Sequence, residues 1–189
     1  RDSLLIYNKY KENTRSIMDD NIYLLFQDIL DITFKKIDMI ALKNGILKND
    51  IRRIESAILY VMDEVCNLQG HSYLNYDEIY SYTVRCLNIE ISSLEFKKAI
   101  DNLMLDIKVI MKDEKYYLRG MYEAEENIVK RCGYLMRSHD NIIKNLDLNI
   151  KMVEDTFDCF YNKEQLEAIK TSFLKQILIV TGGPGTGKT

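Results

Sequence analysis

The 189 residues, 47% hydrophobic and 29% charged, are ordinary for a globular chain of one or two domains. No apolar run approaches the ~18 residues that a transmembrane helix needs, which excludes a membrane-spanning role for any helix here. The net charge of −3 excludes a strongly basic surface across the chain and leaves room only for a local, modest patch toward nucleic acid.

From the N-terminus, apolar side chains recur at helical spacing in short blocks: Leu4, Leu5, Tyr7 and Tyr10; then Ile22, Leu24, Leu25, Phe26, Ile29 and Leu30; then Phe34, Ile37, Ile40 and Ala41. Gly45 suits the residue just past a helix end. The span 29–38, between two helical patterns, has the outline of a helix-hairpin-helix. Such hairpins place glycines where backbone N–H groups approach a DNA phosphate, and this chain has Asp31 and Thr33 there. The pattern therefore predicts a structural helix pair that keeps the shape and weakens the phosphate contact.

Beyond Asp50 the periodicity is firmer. Ile51, Ile54, Ile58, Val61 and Val65 share a helix face, with Asp50 as the N-cap and Gly70 as the stop. Asn75-Tyr76-Asp77-Glu78 and Ser92-Ser93-Leu94-Glu95 are capping-box arrangements that open two more helices, one through Ile79, Thr83, Cys86 and Leu87, the other through Phe96, Ala99, Ile100 and Leu103. Two β-like runs follow, Ile107 to Lys112 and Lys115 to Leu118, split by Asp113-Glu114. Three helices and a hairpin in this order are the winged-helix layout. Its third helix is poorly equipped to read base edges, because Glu95, Asp101 and Asp106 offset Lys97 and Lys98. Lys108, Lys112, Lys115 and Arg119 make the wing the more basic part, and a scaffold or protein-docking role is favoured over sequence reading.

A long helical stretch is predicted from Tyr122 to about Ile150, with Ala124, Ile128, Leu135, Ile142 and Leu146 at its apolar positions and Gly133 as a break. His139 has no second His or Cys at ligand spacing and is expected on the surface. The cysteines, Cys66, Cys86, Cys132 and Cys159, form no C-x-x-C pair, which argues against zinc and for small buried apolar roles in a reduced protein.

Near Phe160 a final unit opens. Asn162 and Gln165 form a third capping box, Leu166, Ile169 and Phe173 mark the buried helix face, and the apolar run Ile177 to Val180 reads as a strand. Directly behind it stands Gly182-Gly183-Pro184-Gly185-Thr186-Gly187-Lys188-Thr189, a full G-x-x-x-x-G-K-[ST] phosphate-binding loop after a strand. Glycines there let backbone N–H groups converge on phosphate oxygens that side chains would block. Lys188 is then placed on the β- and γ-phosphates and Thr189 on Mg²⁺. The candidate catalytic residues are Lys188 and Thr189. ATP is the expected ligand, held by Gly182, Gly183, Gly185, Thr186 and Gly187 with Lys188 and Thr189. With Arg1 first and the motor's remaining strands lacking, the sequence is expected to be an internal piece of a longer protein, inactive alone.

Taken together, Phe160-Tyr161-Asn162-Lys163-Glu164-Gln165-Leu166-Glu167-Ala168-Ile169-Lys170 and Ile179-Val180-Thr181 before the glycine loop resemble the RecD/TraA-type superfamily 1 DNA helicases, the RecD-like, exodeoxyribonuclease V alpha-subunit-like proteins with an extended N-terminal region. Upstream, Phe34 to Ala41, Arg52 to Tyr60, Gly70 to Leu74, and Tyr116 to Glu125 look like landmarks of that region in the same order. The resemblance implies ATP-driven 5′-to-3′ unwinding of DNA in recombination and repair, with Gln165 contacting the adenine, in a cytoplasmic bacterial protein. It implies single-stranded or tailed duplex DNA as partner of the whole helicase, weak or no DNA binding by this segment alone, and room for protein partners. The expected fold is mainly α: a helix-hairpin-helix-like segment (1–48), a winged-helix-like domain with a small β-hairpin (49–120), a helical connector (121–155), and the first helix and strand of a truncated RecA-like α/β domain (156–189). The alternative is a non-catalytic helical and winged-helix docking module, for protein or DNA, fused to a different P-loop NTPase.

Overall fold

The computed structural model describes residues 2–29, 32–137 and 145–187. Leu30, Asp31, His139, Ile142, Lys188 and Thr189, singled out above, lie outside the described residues. The chain is mainly helical and forms two compact units, Arg1–Ala124 and Glu125–Thr189.

The first unit opens with α1 (Asp2–Tyr10), a short 3-10 turn, α2 (Thr14–Asn21), α3 (Leu24–Asp28) and α4 (Phe34–Lys43). Gly45 takes φ +88° behind α4, so its N–H reaches the Leu42 carbonyl at 3.2 Å and the Ile46 N–H reaches Ala41 at 3.1 Å. Those bonds satisfy carbonyls that a helix end leaves open. α5 (Ile51–Gln69) starts on Asp50, whose carboxylate accepts the Arg52 N–H at 2.9 Å, and stops at Gly70 with φ +72°. α6 (Tyr76–Leu87) and α7 (Ser93–Leu105) both begin with complete capping boxes, Asn75 with Glu78 and Ser92 with Glu95.

β1 (Val109–Lys112) and β2 (Lys115–Leu118) pair antiparallel, with Val109 opposite Leu118 and Lys112 opposite Lys115. Asp113 and Glu114 both have positive φ, the two-residue turn whose twist suits a hairpin. The winged-helix layout is thus present, with one addition that periodicity does not reveal. Leu74 pairs with Tyr116 through backbone bonds of 3.0 and 2.8 Å, extending the hairpin by one strand position.

A single apolar interior holds this unit together. Phe34 and Ala41 of α4 pack into the same cluster as Ile54 and Ile58 of α5, Ile79 of α6 and Phe96 of α7, so the hairpin helices and the winged-helix part share one core. Inside it sits a charge. Arg53, 4% exposed, donates to the Asp38 carboxylate at 2.7 and 2.9 Å and to the Lys48 carbonyl at 2.7 Å. The hydroxyl of Tyr23 donates to Asp38 at 2.9 Å, and burial together with that bond holds the phenol proton more tightly than usual.

Several expectations are corrected. Of the stretch from Tyr122 to Ile150, the described residues form α8 (Arg119–Met136) and the start of α9 (Leu146–Phe157), and residues 138–144 lie outside the description. Gly133 lies inside α8 and breaks nothing, since one interior glycine costs only about 1 kcal/mol relative to alanine. Ala124 and Ile128 are exposed, and Leu135 is half-buried. In α10 (Lys163–Leu174), Leu166 and Ile169 are half-buried while Phe173 is 47% exposed. Residues 177–180 make no ladder: among the described residues, β pairing is confined to the hairpin and the Leu74–Tyr116 bridge. A strand is defined by its partner, and this run has none there. The first β run begins at Val109, because Ile107 closes α7 in the left-handed region at φ +56°. Of the four free cysteines, Cys66 is buried and the other three are half-buried; burial pushes the Cys66 and Cys86 thiols up.

Candidate nucleotide-binding site

In the second unit, α10 and the glycine-rich segment face each other across a cleft of about 710 Å³. Its walls combine Tyr161, Asn162, Glu164, Gln165, Ala168, Ile169 and Ser172 on the helical side with Leu178, Val180, Thr181, Gly182, Gly185, Thr186 and Gly187 opposite. The size suits a nucleotide-sized ligand, as pockets of roughly 300–1,000 Å³ do for small molecules.

Gln165 is fixed from both ends. Its backbone N–H donates to the Asn162 side chain at 2.9 Å, and its Oε1 accepts the Asn162 N–H at 2.9 Å, the complete capping box. The remaining end of the amide, Nε2, donates to the Thr186 carbonyl at 3.3 Å. One side chain therefore closes the helix start and touches the glycine-rich loop in a single rotamer.

The loop needs its glycines for two separate reasons. Gly185 and Gly187 have φ of +76° and +69°, where other residues are strained. At Gly187 space is lacking as well, since a Cβ would come within 2.6 Å of Gln165 Nε2. The Thr186 hydroxyl donates to the Gly183 carbonyl at 2.9 Å, bracing the turn. Gly182, Gly185, Thr186, Gly187 and Gln165 are thus brought together in the lining of the cleft, with Gly183 held behind them by the Thr186 hydroxyl, while Lys188 and Thr189 fall outside the described residues. Among the described residues no group of three or more His, Cys, Asp or Glu side chains is placed to hold a metal.

Tyr161 is a lining residue to which motif reading assigned no role. It is half-buried beside the cap, and its N–H donates to Glu154 at 2.9 Å, which ties the approach to α10 back onto α9. The signal for it was an aromatic residue just ahead of the Asn162 cap. Glu164, also on the wall, adds a carboxylate on the helical side, across from the glycine-rich segment.

The helical hairpin of the first unit has a different character. Thr33 is the extended N-cap of α4 (φ −84°, ψ 147°) and makes no side-chain cap bond. Ile32 and Phe34, on either side, are buried, which anchors the turn by packing. The lysines of the first α4 turn are engaged within the protein: Lys35 lies 5.9 Å from the Tyr60 ring centre and Lys36 pairs with Asp2. Residues 3–73, spanning this hairpin and α5, match a family model described as the ATP-dependent RecD2 DNA helicase HHH domain.

Proposed function

We propose that this chain supplies the N-terminal accessory region and the first nucleotide-binding motif of a RecD-like, ATP-dependent 5′-to-3′ DNA helicase acting in recombination and repair. The observation that carries the reading is the joint occurrence, in one chain, of the helicase-type match over residues 3–73 and a glycine-lined cleft closed by Gln165. The activity belongs to the whole helicase, in the bacterial cytoplasm, on single-stranded or tailed duplex DNA. Residues 1–48 and 49–120 act as its accessory part, 121–155 as connector, and 156–189 as the beginning of the motor.

In this reading Gln165 turns its amide to the adenine edge, held by the Asn162 cap. The backbone N–H groups of Gly182 to Gly187 receive the phosphates, where two left-handed glycines leave room for close approach. Lys188 sets a positive charge against the transferred phosphoryl group. Thr189 offers its hydroxyl to Mg²⁺, which supplies charge neutralisation when bound.

The test is a Lys188→Ala variant of a helicase containing this region. Its DNA-stimulated ATP hydrolysis should fall by at least about 100-fold, the scale of losing a principal charge-stabilising group. Hydrolysis at the unsubstituted rate would refute the reading.

A further inference from the structure

The nitrogen of the Gln165 amide has a partner that the helix cap does not require. Among the described residues three helices open with a complete capping box, and two of them place glutamate at the third position. Glu78 accepts the Asn75 N–H at 2.9 Å, and Glu95 accepts the Ser92 N–H at 3.0 Å. A carboxylate suits the cap itself better than an amide, because its charge lies against the positive end of the helix. Helix α10 instead carries Gln165, whose Oε1 makes the same bond to the Asn162 N–H at 2.9 Å. What the amide adds is a donor, and Nε2 gives it to the Thr186 carbonyl at 3.3 Å, 21 residues further along the chain.

The loop is shaped to receive that contact. A Cβ at Gly187 would lie 2.6 Å from the same Nε2, so the backbone comes as close to the amide as only glycine allows. The Thr186 hydroxyl donates to the Gly183 carbonyl at 2.9 Å, which ties the bonded residue to the start of the turn. The cap holds Gln165 from both its backbone and its Oε1, so the loop leans on a fixed point. A primary amide has two N–H donors and two carbonyl lone pairs. The cap takes one lone pair and the loop one N–H, which leaves one of each to face a base edge.

Resting on the nucleotide reading of this cleft, we propose that Gln165 is also a positioning residue for the phosphate loop, holding Thr186 and Gly187 against α10 whether or not a base is present. A glycine-rich turn binds phosphate through N–H groups that converge, and a turn already held in shape loses less affinity to ordering than a free one. A side chain that only read the base would act on nucleotides alone. One that holds the loop acts on any polyphosphate.

The experiment is isothermal titration calorimetry of a helicase containing this region, with tripolyphosphate and separately with ATP, each with Mg²⁺, at low and at high salt. Two variants remove the donor in different ways. Gln165→Glu keeps a capping oxygen, as Glu78 and Glu95 do, and replaces the donor with an acceptor. Gln165→Met removes the donor without adding charge and is a good helix former, so both variants should fold. Both should bind tripolyphosphate on the order of tenfold more weakly than the unsubstituted protein, the scale of one hydrogen bond, at either salt concentration. ATP binding should weaken at least as much. If ATP binding falls in the methionine variant while tripolyphosphate binding is unchanged, or absent throughout, Gln165 acts on the base alone and the assignment is overturned. A loss confined to the glutamate variant and abolished by salt would be charge repulsion and would overturn it equally. Failure of the unsubstituted protein to bind either ligand would refute the nucleotide site itself, and with it this role of Gln165.

Discussion

Arg53 brings a full positive charge into the shared core of the first unit, and its stability there depends on Asp38. The carboxylate takes two bonds from the guanidinium and one from Tyr23, so it joins α4, α5 and the α2–α3 turn at a single point. Removing one member of a buried pair leaves the other without compensation, which typically costs about 3–5 kcal/mol. Asp38→Ala should therefore destabilise the unit by about that amount, while Tyr23→Phe, which deletes one neutral donor, should cost about 1 kcal/mol. Urea unfolding followed by circular dichroism measures both. Replacing the pair together, as Asp38→Leu with Arg53→Met, should recover much of the loss, because an apolar pair of similar volume asks for no desolvated charge. If the double variant were no more stable than Asp38→Ala, the charge would not be the reason for the cost.

At the level of elements, the end of α7 holds an uncommon arrangement. The Ile107 and Lys108 N–H groups reach back to the Met104 and Leu103 carbonyls at 3.0 and 2.9 Å, a Schellman-type ending that puts Ile107 in the position where glycine is normal. A β-branched residue at φ +56° is strained there, and its side chain is 56% exposed, so it contributes little packing in return. Ile107→Gly should stabilise the unit by about 1 kcal/mol, the left-handed penalty less the entropy of a new glycine. A thermal melt in which the variant unfolds at a lower temperature would rule this out. The same residue shows what the sequence conveyed and what it withheld. The caps at Asp50, Asn75, Ser92 and Asn162 were legible because each depends on two residues three apart or fewer. Ile107 was read as strand because its β-branched type signals strand, while its conformation is imposed by carbonyls of the preceding helix. Leu74's pairing with Tyr116 was equally hidden, being a contact between residues 42 apart. In the candidate site, the glycine loop and Gln165 were visible as a motif, whereas Tyr161 acquired a place in it only through the cleft they enclose.

For the molecule as a whole, the two units differ in how much apolar surface they bury. The first has a continuous core drawn from α3 through β1. In the second, Ile150 is the one buried hydrophobic residue among those described, while Phe157, Phe160 and Ile179 are each more than 70% exposed. Burying one such side chain stabilises by about 1.5–3 kcal/mol, and fixing each residue's backbone costs about 1–2 kcal/mol. A unit of this kind is held chiefly by its helical hydrogen bonds and caps, and it should open locally with little free energy. Hydrogen exchange by mass spectrometry should therefore show the slowest amides in α5, α6 and α7, and fast exchange across residues 146–187. Adding ATP with Mg²⁺ should slow exchange selectively in residues 161–187, because a ligand that binds the closed cleft stabilises it by mass action while leaving the first core unchanged. Equal protection of both units without ligand would contradict the burial argument; uniform slowing of both units by ATP would contradict the placement of its site.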